Sequence, residues 1–290
     1  MHDQVAATSR PTPADLALAR ATLYTTLAEG FLPPSDAATV RLRSPVTAAA
    51  LEAAAAVLEI DARMDVSATR PAIDTGPPES PVGLEVRAAV ARLRAAIASQ
   101  DLLAPAYTRL FGHTAHGEVP LYETEYGTGD PIQQPHELAD LAGFLGAFGL
   151  TVDPARHERV DHVSCECEFL AFLALKELWA LEQDDAATLA ETRRAARLFL
   201  RDHLARFGPA LGHRLARADT GGIYGALGDA LRAVVEIDCR RLGVPSGPAL
   251  LRLRPTEDPA VPMACGEGGA PCAEAGCMPD EGYGEQAERS

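Results

Sequence analysis

The sequence ERVDHVSCECEFLAFL, residues 158–173, decides the fold prediction for this chain. An Asp-His pair stands near its start, two glutamates follow within two helical turns, and an apolar run continues from them. This apolar spacing predicts a helix with one buried face. Carboxylates and aromatic rings at the entrance of such a helix are suited to holding another polypeptide. Bond-breaking chemistry would require a nucleophile, a metal set or a phosphate loop, and none is complete in the sequence.

Helical geometry determines which of these side chains are neighbours. His162 and Glu166 lie one turn apart on one face, and Asp161 and Glu168 lie on the adjoining face. A carboxylate beside a histidine favours the charged imidazole, so the pair predicts a pH-sensitive contact with a partner. The same geometry fits a helix N-cap followed by an internally satisfied His–Glu pair, and both interpretations stay open at this point.

A metal- or redox-handling protein is the alternative from another functional class. His162 and Glu166 supply two metal ligands, but the third has to come from elsewhere, and the His-Glu-x-x-His pattern is absent. Cys165 and Cys167 point about 200° apart on a helix, so neither a single metal nor a disulfide joins them there. Cys167 falls on the apolar stripe and is expected to pack in the core.

The C-terminal cysteines form a separate candidate for metal handling or redox sensing. Cys265, Cys272 and Cys277 could hold a soft metal together with one outside ligand. Their spacing is unlike that of paired zinc knuckles, and their neighbours are Gly, Ala, Glu and Pro. A solvated, flexible tail over 245–290 is the alternative interpretation.

The composition predicts an all-α fold. Of the 290 residues, 47% are hydrophobic but only 5% are aromatic, and alanine and leucine dominate over valine and isoleucine. Neither an alternating strand pattern nor an internal repeat is present. We therefore expect a single helical-bundle domain over 13–244, between a flexible N-terminus, 1–12, and the flexible tail.

Apolar periodicity and Pro/Gly stop signals place the helices and loops. Helices are predicted over residues 13–29, 36–61, 83–100, 102–111, 135–148, 160–183, 186–206 and 222–242, with Gly149 and then Gly208-Pro209 as stops. Two loops are predicted, 65–82 and 112–134. The second loop contains Tyr122 and Tyr126 and is long for a compact domain, which favours a functional role over disorder.

The charge and cysteine content restrict the partners and the compartment. A net charge of −15 repels nucleic acid and anionic membranes and attracts a basic partner, although acidity also keeps a protein soluble. No apolar run is long enough to span a membrane, so membrane insertion is not expected. Without a targeting signal or a disulfide framework, the sequence predicts a reducing cytoplasm.

Three local patterns give the chain a family resemblance. They are YTRLFG at 107–112 with VPLYETEY at 119–126, ERVDHVSCECEFL at 158–170, and FLRDHL at 199–204. With these, the chain resembles the TorD/DmsD/NarJ-type redox-enzyme maturation chaperones over about residues 13–242. It departs from them at Val160, where family members often have proline, and in the Cys-containing extension.

The resemblance implies a cytoplasmic, all-helical chaperone without catalytic activity and without a cofactor of its own. Such proteins bind the apo catalytic subunit of a molybdoenzyme of the DMSO reductase family, often through its twin-arginine signal or N-terminal region. They hold it while the molybdenum cofactor and iron–sulfur clusters are inserted, before export. The 122–126 loop resembles that of chaperones serving the dimethylsulfide, ethylbenzene, selenate and chlorate oxidoreductase branch. A monomer and a homodimer are both compatible with the sequence.

The resemblance also implies the site residues. Asp161, His162 and Glu166 fall on the family's signature positions, and His203 falls on a further match. The expected partner-binding residues are Tyr122, Glu123, Glu125, Tyr126, Asp161, His162, Glu166, Glu168 and His203. An acidic rim formed by four of them (Glu123, Glu125, Asp161, Glu168) would attract the basic head of a signal, and an apolar groove would receive the remainder.

Overall fold

The computed structural model describes residues 9–69, 82–99, 103–112, 117–128, 133–153 and 159–254. These residues form ten α-helices and a short 3₁₀ turn, Glu123–Glu125. The helices are α1 Pro13–Phe31, α2 Asp36–Leu42, α3 Pro45–Thr69, α4 Val82–Ser99, α5 Leu103–Phe111, α6 Gln134–Ala147, α7 Val163–Glu182, α8 Ala186–Asp202, α9 Leu204–Ala218 and α10 Ile223–Leu242. The only β-type pairings among the described residues are two isolated antiparallel bridges. The all-α prediction is confirmed.

One apolar core joins most of the helices. Helix α1 packs along α7 and also against α3, while α10 packs against α9 and α4. Helix α7, which begins within the 158–173 stretch, is therefore central to the core, and its first three turns are almost entirely buried. Because these turns are buried, the side chains at the start of α7 are held in defined positions, as a binding site requires.

Two predicted helices are each divided in the structure. The helix expected over 36–61 breaks after Leu42, because the Ser44 hydroxyl accepts a hydrogen bond from the Thr47 amide (3.0 Å) and Pro45 opens a new helix. The helix expected over 186–206 ends at Asp202, because His203 adopts φ −125° and ψ −99°. Helix α9 then begins at the next residue.

The expectation that Gly208-Pro209 ends a helix is wrong, since Pro209 lies inside α9. A proline within a helix leaves the carbonyl four residues earlier without its usual amide partner. Here that carbonyl, on Ala205, accepts a hydrogen bond from the Gly247 amide (2.8 Å). A distant segment therefore supplies the bond that proline cannot make.

Residues 245–254, assigned to the tail from the sequence, lie against the helical domain. The Arg254 amide donates to the Glu125 carbonyl (2.9 Å), and its guanidinium pairs with Glu137 (2.7 Å). Leu251 and Leu253 pack on the core. At the other boundary, residues 65–69 continue α3 instead of forming a loop. Residues 255–290, with Cys265, Cys272 and Cys277, lie outside the described residues, as do 70–81.

A buried ion-pair network that the sequence did not reveal ties four helices together. The Arg20 side chain in α1 is 1% exposed and donates to Asp238 of α10 (2.6 Å) and Glu177 of α7 (2.9 Å). Glu177 also accepts from Arg193 of α8 (2.8 Å) and from Arg241 (3.0 Å). Each buried charge thus has opposite charges and hydrogen bonds around it, which buried ions require.

Candidate functional site

The 117–128 loop joins the start of α7 through its backbone. The Glu123 amide donates to the Asp161 carbonyl (2.9 Å), and the Val163 amide donates to the Leu121 carbonyl (2.9 Å). Between these bonds, Tyr122 and His162 form an antiparallel bridge. Two sequence patterns about forty residues apart therefore meet at one junction, which we call the loop–helix junction.

Asp161 organises this junction from a fully buried position. Its carboxylate accepts hydrogen bonds from the Thr124 hydroxyl (2.7 Å) and amide (3.3 Å). It also accepts two from the Arg159 guanidinium, at 3.0 and 2.8 Å. The guanidinium lies 4.7 Å from the centre of the Tyr122 ring. Asp161 therefore holds the loop from within and presents no charge to a partner.

His162 is the N-cap of α7 and lies almost fully buried beside Tyr122. Its Nδ1 accepts from the Ser164 amide (3.1 Å) and lies 2.6 Å from the Ser164 hydroxyl oxygen. The imidazole packs edge-on against the Tyr122 ring, with centroids 5.1 Å apart. The N-cap interpretation is confirmed. The accompanying His–Glu hydrogen bond is absent, because neither Glu166 carboxyl oxygen has a hydrogen-bond partner among the described residues.

Glu166 is a fully buried carboxyl group in an acidic neighbourhood. Burial, followed by the nearby Glu123 and Asp161 carboxylates, raises the pKa of Glu166 well above its ordinary value, and Arg206 only partly opposes this. The protonated, neutral form is thereby favoured. The side chain lies in the protein interior, on the α7 turn that follows His162.

Glu123 and His203 connect the loop to the break between α8 and α9. Glu123 is 7% exposed and its Oε2 lies 3.0 Å from Nδ1 of His203. The other ring nitrogen lies 3.4 Å from an Asp140 oxygen, although not in hydrogen-bonding alignment. The rings of Phe144 and Phe199 pack against the imidazole at 5.4 and 5.0 Å. His203 is thus enclosed on several sides.

The remaining predicted site residues occupy different surroundings. Tyr126 is buried, and its hydroxyl donates to the Pro120 carbonyl (2.8 Å), so it anchors the loop. Glu125 is partly buried, and this burial raises its pKa to about 7, with Asp161 adding to the shift and Arg159 opposing it. Glu168 is exposed. The expectation that four carboxylates form one acidic rim is therefore wrong, because Glu123 and Asp161 lie in the interior.

A cavity of about 520 Å³ opens beside the loop–helix junction. Its volume is within the range of about 300–1,000 Å³ that is typical of ligand sites. It lies between the start of α7, the 117–122 loop, α5 and the residues after α1. Its aromatic, imidazole and proline walls include Pro33, Pro34, Tyr107, Phe111, Tyr122 and His162. The cavity thus combines aromatic and proline surfaces with a comparable amount of exposed polar surface, which suits a bound peptide, since a peptide presents side chains and backbone polar groups together.

A second, smaller pocket of about 270 Å³ lies between the end of α6 and α7. Phe169 and Phe172 supply aromatic lining, and Glu168 and Asp153 contribute carboxylates. Both carboxylate residues are exposed. This pocket, on the adjoining face of α7, is where an apolar surface and accessible negative charge do occur together.

Sequence reasoning missed three residues that complete the junction, namely Thr124, Arg159 and Ser164. Thr124 is fully buried between Asp161 and the Arg159 guanidinium, which donates to its hydroxyl (2.7 Å). Arg159, two positions before Asp161, could have been predicted from the sequence as the partner of this carboxylate. The role of Thr124 could not have been predicted in this way, because its partner Asp161 lies 37 residues away in the sequence.

No group of three or more His, Cys, Asp or Glu side chains within the described ranges could hold a metal ion. Cys165, Cys167 and Cys239 are buried and form no disulfide with any described residue. Burial raises the pKa of Cys167 well above its ordinary value, with Glu166 contributing, which disfavours the thiolate. Among the helices of the described parts, none is long and apolar enough to cross a membrane.

The fold and the site define an all-helical protein whose distinctive feature is a loop–helix junction bordered by a cavity. Residues 80–212 match the family described as Nitrate reductase delta subunit. All nine predicted partner-binding residues fall within this range. The resemblance to the TorD/DmsD/NarJ-type chaperone family is thereby confirmed.

Individual relatives agree with this family match. The chain is 32% identical over 110 residues to the chaperone protein TorD of Vibrio cholerae, covering 38% of this chain and 46% of the relative. It is 38% identical over 106 residues to the selenate reductase assembly chaperone protein of Thauera selenatis, covering 37% and 53%. It is 36% identical over 106 residues to the chlorate reductase assembly chaperone protein of Ideonella dechloratans, again covering 37% and 53%.

The chain spans about half the length of the curated relatives that it matches. No solved structure matches it significantly. Two of the relatives are named for selenate and chlorate reductases.

Proposed function

We propose that this protein is a cytoplasmic chaperone for the apo catalytic subunit of a molybdoenzyme of the DMSO reductase family. It binds the signal or N-terminal region of that subunit and holds it while the cofactors are inserted, before export. It performs no catalytic step and carries no cofactor of its own. The names of the matched relatives support an assembly role.

The observation that carries the proposal is the cavity beside the loop–helix junction. Two of the patterns that give the family resemblance contribute adjacent walls of it, through Tyr122 and His162. Their rings are held by the backbone bridge and by the His162 cap, so the receiving surface is organised before a peptide arrives. A preformed surface reduces the ordering cost of binding.

The adjoining pocket on α7 gives the client a second point of attachment. A basic residue of the client would reach Glu168 and Asp153, while an apolar residue would contact Phe172. Ion pairs at such exposed carboxylates contribute only about 0–1 kcal/mol each. Binding through them is therefore readily reversible, as release of a matured subunit requires.

The test begins with mass spectrometry of the protein that co-purifies with the full chain from its native host. The gene is then deleted and complemented, and the molybdenum content and export of that client are measured. We expect both to fall in the deletion strain. Unchanged cofactor content and export would remove the basis of the proposal.

His162→Asn separates binding from folding in the same assay. Asparagine is a favourable N-cap residue, so the cap of α7 is retained while the imidazole is removed from the cavity wall. We expect a melting temperature close to that of the wild type and weaker client maturation. Glu191→Gln is the matched surface control, since the Glu191 side chain is 75% exposed on α8. Equal maturation by both variants would exclude the cavity as the client site.

A further inference from the structure

A separate cavity of about 390 Å³ lies along the second half of α9. Residues 118–119 and 249–251 form its other walls. Val119 lines both this cavity and the one beside the loop–helix junction, but none of the nine predicted partner-binding residues lines it. The proposed client binding therefore does not use this space.

Three basic side chains of α9 line this cavity, namely His213, Arg214 and Arg217. The Arg214 guanidinium donates to the Leu251 carbonyl (3.3 Å), so this arginine is held against the opposite wall. The exposed Arg217 side chain forms neither an ion pair nor a hydrogen bond with a described residue. Of the described lining residues, Glu118 is the sole carboxylate.

This local excess of positive charge is unusual in a chain whose net charge is −15. Arginines elsewhere on the domain mostly have carboxylate partners, such as Arg109 with Asp219 (2.6 Å) and Arg92 with Asp229 (3.1 Å). Two arginines three positions apart on one helix repel each other unless an anion lies between or beside them. The cavity is therefore electrostatically prepared for a negatively charged group.

We propose that this cavity binds a small organic oxyanion, a phosphate or carboxylate attached to an apolar body. Guanidinium groups bind both oxyanions through paired hydrogen bonds, and the His213 imidazole can add a third donor. Ala210 and Leu250 supply apolar wall for the organic part, and the Leu250 side chain is 73% exposed. The volume is within the range of small-molecule sites.

The proposal is tested on the full chain by isothermal titration calorimetry in low-salt buffer. Pyrophosphate and citrate are the probes, because they separate phosphate from carboxylate recognition. We expect saturable binding of at least one probe, with one site per chain. Arg217→Gln should weaken that binding by about tenfold or more, since it removes a charge-assisted contact. The variant breaks no described side-chain bond, so its fold should be unchanged.

Arg194→Gln is the matched control, because it removes the same charge from a side chain that is 72% exposed on α8. Its affinity should stay within about twofold of the wild type, since distant surface charges are screened. Equal weakening by both variants would show that the probes respond only to net charge, and would overturn the proposal. Absence of saturable binding at millimolar concentrations of both probes would also overturn it. Binding of a glutamate-rich peptide without binding of either probe would do the same, because it would assign the surface to a protein partner.

Discussion

Replacing Asp161 by alanine tests whether this signature residue acts by organising the loop or by touching the client. In the structure, its carboxylate accepts two hydrogen bonds from Thr124 and two from Arg159. Alanine leaves the amide and hydroxyl of the fully buried Thr124 without their acceptor. Each orphaned buried donor costs about 1–3 kcal/mol. The Arg159 side chain is 40% exposed and can form hydrogen bonds with water instead, so the loss of its ion pair adds little to the destabilisation.

Two such donors sum to about 2–6 kcal/mol. Because the Thr124 amide contact is long (3.3 Å), we expect Asp161→Ala to lower the free energy of unfolding by the lower part of that range, about 2–4 kcal/mol. This is a large share of a typical total of about 5–15 kcal/mol, but it leaves a folded domain. Asp161→Asn keeps an acceptor oxygen for Thr124 but loses the charge and the acceptor of the Arg159 Nε bond. Because Arg159 can turn to water, the loss should be about 1 kcal/mol. Urea unfolding of the full chain, followed by far-ultraviolet circular dichroism, measures both values.

Client maturation in the deletion strain completes the test. We expect the two Asp161 variants to lose maturation in proportion to their loss of stability. The reasoning is refuted if Asp161→Ala unfolds within about 0.5 kcal/mol of the wild type, as a neutral surface change would. If maturation were nevertheless abolished, Asp161 would have to contact the client directly, in spite of its burial.

Three further predictions concern stability. Because the pKa of Glu166 is raised in the folded state above its ordinary 4.5, the folded state holds this proton more tightly, and the associated stability is lost as pH rises from that value. Glu166→Gln should therefore stabilise the domain more at pH 8 than at pH 5 in urea titrations, and an equal effect at both would contradict the assignment. Gly247→Ala should lower the free energy of unfolding by about 1–3 kcal/mol. A Cβ at this position would lie 2.5 Å from the Ala205 and Arg206 carbonyl oxygens. The segment would have to move away, which would break the hydrogen bond from the Gly247 amide to the Ala205 carbonyl. Its control is Gly143→Ala, where a Cβ meets nothing within 4 Å, and a similar loss there would disprove the steric reason. Truncation after Arg254 should leave the melting temperature unchanged. Truncation after Val244 should lower it, because this removes the contacts of residues 245–254 with the helical domain. Identical melting temperatures would show that these contacts do not stabilise the domain.

Sequence patterns identified the features that depend on neighbouring residues. Apolar periodicity gave the helical class and most helix positions, and Ser35 caps α2 as a serine before a helix is expected to do. Gly149, with φ near 70°, ends the turn after α6 as expected of a glycine stop. The patterns around 119–126 and 158–170 also identified the two segments that form the junction.

The patterns failed where a distant segment changes a local preference. Pro209 is normally a stop signal, yet α9 continues through it because the Gly247 amide occupies the freed carbonyl. His203 has no breaker composition, yet it interrupts the helix where its ring meets Glu123, 80 residues earlier. Neither result follows from nearest neighbours.

The sequence by itself determined an all-helical chain, its family resemblance and the residues most worth examining. Only the tertiary structure decided which of those residues face solvent: Asp161, Glu123 and Glu166 are interior, and Glu168 is exposed. It also brought Arg20 to Asp238, 218 positions away. The physical reason is that helix formation depends on contacts within a few residues, whereas the burial and pairing of a charge depend on which surfaces pack together across the whole domain.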